Sequence, residues 1–160
     1  AVEIEDPETG TIEAYWDGGY SGNPALFPLF EPEFPADIMI VNINPITREE
    51  LPRSPQQIQN RINEVSFNAS LLRELRAIAF VKRLLAQGKL ERGTMKDVLV
   101  HMVSDDPLMN DLSVAAKILP NPLLLARLKE AGRRAADGFL TAHKDDLNHR
   151  STVDLSRMLS

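Results

Sequence analysis

The sequence predicts an α/β domain with a mainly parallel sheet flanked by helices, and three observations carry that prediction. Apolar runs of strand length alternate with longer stretches of helical period, the order that builds strand-helix-strand units. Two of those runs, DIMIVNINP at 37–45 and KDVLVHMVS at 96–104, are nearly continuous, as in strands covered on both faces. The chain of 160 residues is 43% apolar, enough for one domain with a buried core.

The elements follow in order. EDPETG at 5–10 is a turn, and TIEAYW at 11–16 sets Ile12, Ala14 and Trp16 against Thr11, Glu13 and Tyr15, a short strand ending at Asp17. Gly18 and Gly19 suit a turn that needs positive φ. Asn23 before Pro24 opens a short helix over 24–32, which Pro28 holds to a couple of turns; Pro32 and Pro35 then enforce a connector. The run at 37–45 lies deep in the sheet, and TREELPR after it is a charged surface loop.

Ser54-Pro55-Gln56-Gln57 combines an N-cap, a proline at N1 and a capping-box glutamine at N3. Ile58, Ile62, Val65, Ala69, Leu72, Leu75 and Ala79 recur every three or four residues, predicting a helix to about 85 that buries this stripe. Arg61, Arg73, Arg76 and Arg83 fall on its solvated face, and Gln87-Gly88 stops it. The third strand is at 96–104, SDDPLMNDLSV breaks it, and a short helix follows at 113–118. Asn121-Pro122 opens a last long helix with Leu124, Leu128, Ala131, Ala135, Phe139 and Ala142 inward and Arg127, Lys129, Arg133 and Arg134 in water. The main unit spans 1–146, and 147–160 carries little pattern, as a tail or a docking segment would. Three strands are few against a usual sheet of about five or six, so further strands are expected from polypeptide preceding Ala1. Ala1 in place of an initiator methionine fits a processed or excised piece.

Bulk properties exclude several classes. A net charge of −5 and a pI near 5.2 give no general attraction to nucleic acid. With no cysteine there is no disulfide, thiol catalysis or thiolate zinc site. No apolar run approaches the roughly 18 residues of a membrane span, and the start is acidic where a secretory signal is basic then apolar, so a cytoplasmic location is expected. The acids Asp105, Asp106 and Asp111 lack the alternate spacing and central glycine of a calcium loop. His143 and His149 are not one helical turn apart, and His101 inside an apolar strand reads as a packed, hydrogen-bonded side chain, so no metal site is expected. No phosphate-cradling glycine loop occurs.

Asp17 is the residue to explain. A turn accounts for the glycines and the Asn-Pro pair, whereas the acid is either a turn former bonded to its own loop or a group with chemistry to do. Here the run Trp16-Asp17-Gly18-Gly19 with Asn23-Pro24, and the buried strand ending in Asn44-Pro45, resembles the C-terminal half of the patatin-like phospholipases. The stretch from Arg61 through Asn63, Glu64, Phe67, Asn68 and Ser70 to Leu75 resembles the long helix of a bacterial branch of that family. The resemblance covers about 11–85, and more weakly extends to about 146.

The resemblance implies a three-layer α/β fold, of which this chain is an incomplete C-terminal part. It implies a lipid acyl ester hydrolase with a Ser–Asp dyad and no cofactor, in which Asp17 is the acidic member and Gly18 and Gly19 form the active-site loop. A carboxylate at a strand's carboxyl end sits where open α/β sheets hold ligands. The family's G-x-S-x-G nucleophile elbow and glycine-rich oxyanion loop precede the Asp motif, and neither is in this sequence. The expected partners are therefore the N-terminal part of the same enzyme, carrying the serine, and a lipid ester; peripheral membrane contact and a homo-oligomer are compatible with this. Ser21, four positions from Asp17, reads as a loop hydroxyl. Leu26, Phe27 and Phe30, with Leu29 and Phe34, either fill core or line an acyl-chain pocket. The alternative is a non-catalytic α/β interaction module whose Asp-Gly-Gly is architectural.

Overall fold

The computed structural model describes residues 1–112 and 121–159. Its strands are β1 (Val2–Glu5), β2 (Ile12–Tyr15), β3 (Asp37–Asn42) and β4 (Leu99–Ser104). Its helices are α1 (Pro55–Ala86), α2 (Asp106–Asp111), α3 (Pro122–His143) and α4 (Leu155–Met158), with 3-10 turns at Gly18–Tyr20, Phe27–Phe30 and Lys144–Asp146. The chain is mixed α/β; the short helix expected at 113–118 lies outside the described residues.

β3 and β4 form a parallel pair in register from Asp37↔Leu99 to Asn42↔Ser104, joined through α1 as a crossover requires. The strand at 11–16 does not join them. β2 pairs antiparallel with β1 instead, Val2 opposite Tyr15 and Glu5 opposite Ile12, and all eight paired residues are exposed. The turn between is tied by the Asp6 carboxylate, which accepts from Glu8 N–H at 2.8 Å and Thr9 Oγ at 2.9 Å. The backbone bond from Glu8, ahead of that from Thr9, holds the Asp6 carboxyl below its ordinary range.

The α1 boundaries follow the sequence signals. Ser54 Oγ accepts from Gln57 N–H at 3.2 Å while Gln57 Oε1 accepts from Ser54 N–H at 3.0 Å, closing the capping box, and Gly88 takes the left-handed conformation at φ +66° past the end. The buried face is the departure. The predicted stripe at Ile58, Ile62, Val65 and Ala69 is exposed, Ile62 and Val65 by more than half, while Asn60, Glu64, Asn68 and Ser70 are buried. Apolar packing begins only at Leu71, Leu75 and Ile78, which meet Ile38 and Ile40 of β3, Val98, and Val100 of β4. The first half of α1 is therefore oriented by polar contacts, and its apolar periodicity points away from the described core.

β3 also departs from its expected burial on both faces: Ile38, Ile40 and Asn42 are buried, whereas Met39 and Val41 are exposed. β4 is better covered. Val100 faces the α1 core, and its neighbour His101 is fully buried with its ring edge toward Phe139 of α3. In α3 the inward stripe holds except at Ala142, which is exposed.

Residues 147–159 dock. Thr152 and Val153 N–H groups donate to Val100 O at 3.0 and 3.3 Å, Ser151 Oγ accepts from Val100 N–H at 3.1 Å, and Leu155 is buried in the core. His101 bonds Asp37 Oδ1 at 2.6 Å and Thr152 Oγ at 3.2 Å, the satisfied histidine that its apolar strand implies. Among the described residues no helix is long and apolar enough to cross a membrane.

Candidate active site

β2 delivers the chain to Asp17, which stands at the N-cap of the turn Gly18–Tyr20 with its Oδ1 accepting from Gly19 N–H at 2.7 Å. Its carboxylate is exposed, and the second oxygen, Oδ2, has no hydrogen-bond partner among the described residues. The two glycines are not at positive φ, contrary to the expectation from sequence. Gly19 is favoured by space instead: a Cβ there would stand 3.0 Å from Asp17 Oδ1, so the carboxylate would have to give by a few tenths of an ångström, and in ordinary contact 3.6 Å from Phe67 Cε1. At Gly18 a Cβ would meet nothing within 4 Å, so that side of the loop is open to an approaching molecule.

The loop rests on α1. The Tyr20 ring lies 5.9 Å from Phe67 and 6.3 Å from Trp16, and Asn23 N–H donates to Ser70 Oγ at 2.7 Å. Asn23 does not take its expected role. It caps no helix; the segment forms only the 3-10 turn Phe27–Phe30, preceded by Leu26. Ser21 Oγ donates to Gly18 O at 2.9 Å, the loop hydroxyl expected of it.

On the same turn, α1 holds the loop that leaves β3. Asn68 Nδ2 donates to Pro45 O at 2.9 Å and Asn44 O at 3.3 Å, and Asn42 Nδ2 donates to Asn44 O at 2.8 Å. Glu64, with a side chain 1% exposed, accepts from Arg48 at 2.8 Å, Asn60 at 3.0 Å and Arg61 at 3.4 Å. Arg48 further donates to Asn110 O, and Arg61 to Ile46 O. Arg61 thus leaves the solvated face assigned to it, and Arg48 leaves its surface loop, because a buried carboxylate requires cationic partners. Phe67, Asn68, Ser70 and Glu64 entered the sequence reading only as part of the stretch that carries the resemblance, with no structural role assigned to any of them. Their signal is visible in hindsight as Asn60, Glu64 and Asn68 at i, i+4 and i+8, a polar row at helical spacing.

The candidate acyl-pocket residues separate. Leu26 is buried and borders a cleft of about 210 Å³ between the 23–29 segment and β3, which Met39, Val41 and Asn68 also line. Phe27 is 65% exposed and Phe30 packs against the core, and neither borders that cleft. Among the described residues no three acidic or histidine side chains are grouped to hold a metal ion. Asp105 caps α2 by accepting from Leu108 N–H at 3.2 Å.

The site thus consists of one exposed, loop-held carboxylate with an open flank, able to accept a proton from a group brought to it. Comparison with known proteins gives no match, whether to a family model, to a curated protein or to a solved structure.

Proposed function

We propose that the chain supplies the general base of a patatin-like lipid acyl ester hydrolase. The observation that carries this reading is Asp17: one carboxylate oxygen is fixed by Gly19 N–H, the other is free, and the loop is seated on α1 through Phe67 and Ser70. Asp17 Oδ2 would take the proton from a serine hydroxyl as that oxygen attacks the ester carbonyl, then pass it to the departing alcohol. Water would next attack the acyl-serine, giving its proton through Asp17 back to the serine as the fatty acid leaves.

The serine and the oxyanion donors come, in this reading, from the N-terminal part of the same enzyme. The exposed apolar residues Ile58, Ile62 and Val65 of α1 and Met39 and Val41 of β3 support it, since patches of this kind mark surfaces that other polypeptide covers. The three-layer fold and a cytoplasmic location go with the same proposal. A fluorophosphonate applied to the chain together with the polypeptide that precedes it should tag a serine in the latter. Asp17→Asn should lower ester turnover by orders of magnitude with an unchanged circular-dichroism spectrum; normal turnover by that variant removes Asp17 from the chemistry.

A second reading rests on the same hydrogen bond. Asp17 Oδ1 caps the next turn of its own loop, as a purely architectural Asp does, and this favours a non-catalytic α/β interaction module. The same labelling separates the two, because the module carries no reactive serine.

A further inference from the structure

At the far end of α1 from Asp17, the last turns of the helix, the 92–97 segment and the docked C-terminal stretch enclose an open groove of about 1590 Å³. One wall is apolar, with Phe80 and Met95 each about half exposed and Leu159 behind them. The cations around it divide into two groups. Lys82 is held by Asp97 Oδ1 at 2.6 Å and Val98 O at 3.0 Å, and Lys96 by the carbonyls of Leu29 and Glu31 at 2.9 and 2.8 Å. The side chains of Arg76, Arg83 and Arg92 are exposed and make no ion pair among the described residues; Arg83 lies 5.3 Å over the Phe80 ring. Of the acids on the groove, Asp97 is taken by Lys82, and Asp154 caps α4 by accepting from Ser156 and Arg157 N–H groups. A chain of net charge −5 therefore gathers three uncommitted guanidiniums around an aromatic and a thioether side chain.

We propose that this groove binds an anionic amphiphile, a long-chain carboxylate with its head on Arg76, Arg83 and Arg92 and its chain along Phe80, Met95 and Leu159. The guanidinium fork pairs with a carboxylate, and a small polar anion would leave the apolar wall in water. A neutral hydrocarbon would leave the three cations unused. Arg76, Phe80 and Arg83 sit at i, i+4 and i+7, one strip of α1, so head and chain contacts come from the same rigid element. The groove is separate from the Asp17 loop, and the proposal does not depend on acyl transfer there.

The test is fluorescence titration of the chain with 11-(dansylamino)undecanoate, followed by displacement with sodium dodecanoate below its micelle concentration. Saturable binding that weakens with added salt is expected, together with at least a tenfold loss of affinity in Arg76→Gln/Arg83→Gln at an unchanged melting temperature. Asp17→Asn should bind as the parent does, which locates the probe away from the candidate active site. Parent-like binding by the double arginine variant overturns the proposal. So does displacement by acetate as effective as by dodecanoate, or by 1-dodecanol as effective as by dodecanoate. A Glu/Leu amphipathic peptide that displaces the probe where dodecanoate does not would overturn it in favour of a polypeptide partner.

Discussion

A methyl group at position 19 would stand 3.0 Å from Asp17 Oδ1, whereas one at position 18 would meet nothing within 4 Å, so neighbouring glycines make opposite demands. Gly19→Ala displaces the Asp17 carboxylate by a few tenths of an ångström while its contact with Phe67 stays ordinary. Under the proposed function it is expected to lower kcat for ester hydrolysis by on the order of 10- to 100-fold, the scale of a misplaced catalytic group. Gly18→Ala should change turnover by less than about twofold, the site being open. Steady-state kinetics on the pair reads this directly, and equal losses would show that the loop tolerates no side chain for another reason. Glu64 makes a stability demand of the same local kind. Glu64→Gln leaves Arg48 and Arg61 facing each other across a neutral amide and should cost about 3 kcal/mol in urea unfolding, the low end for a broken buried pair because both arginines keep some water. Asp17 is legible in the sequence because strand, glycines and Asn-Pro bracket it. The contacts of Phe67, Ser70 and Glu64 are not, since nothing local says which loop a helix residue will meet, whether 16 residues away as for Glu64 and Arg48 or 47 as for Ser70 and Asn23.

Along single elements, the ends were readable and the faces less so. Ser54, Pro55 and Gln57 fix the start of α1 by bonds confined to four residues, and Gly88 fixes its end, so both survive into the structure. The buried face depends on partners distant in sequence. Ile58, Ile62 and Val65 match a core stripe in period, yet Asn60, Glu64 and Asn68 face inward because the loop leaving β3 presents the carbonyls of Asn44 and Pro45 to Asn68 and Arg48 to Glu64, which in turn accepts from Asn60. β1 is not among the predicted strands although Val2 and Ile4 alternate with Glu3 and Glu5; four residues at the start of the chain are a short signal until the β2 partner is known. α2, in the stretch read as a strand break, offers a pH test. Partial burial raises the carboxyl of Asp106 above its usual value of 3.8, with the charge of Asp105 adding to the rise and a hydrogen bond with Ser104 opposing it. The folded chain then binds that proton more tightly than the unfolded one, so stability falls as pH rises from the unfolded value through the raised one and stays lower above it. Asp106→Asn should therefore raise the melting temperature by a few degrees at most at pH 7, with the gain vanishing as pH drops below the ordinary carboxylate range. A gain that persists in acid would trace to something other than this charge.

For the molecule as a whole, the C-terminal stretch is a test of where the domain closes. Composition alone left 147–160 as a tail or a docking segment, because its few apolar residues follow no helical or strand period over any useful length. In the fold the N–H groups of Thr152 and Val153 and the Ser151 hydroxyl complete the outer edge of β4, the Thr152 hydroxyl reaches the buried His101, and Asn148 N–H donates to Asp37 Oδ1 at 2.8 Å. Leu155 then plugs the core that Leu75, Ile78 and Val100 begin. Removing everything after residue 146 would expose a fully buried histidine and unpair the N–H and C=O of Val100 in β4, each worth about 1 kcal/mol or more. It would also forfeit about 2 kcal/mol of apolar burial at Leu155. Against a total stability of about 5–15 kcal/mol, that sum takes a domain of this size close to unfolding. The truncated chain should lose cooperative thermal melting by circular dichroism, while Leu155→Ala alone, at about 2–3 kcal/mol, should keep it at a lower midpoint. A truncation that melts like the full chain would mean that the core closes without its last fourteen residues, and β4 would then have to find its edge partner elsewhere.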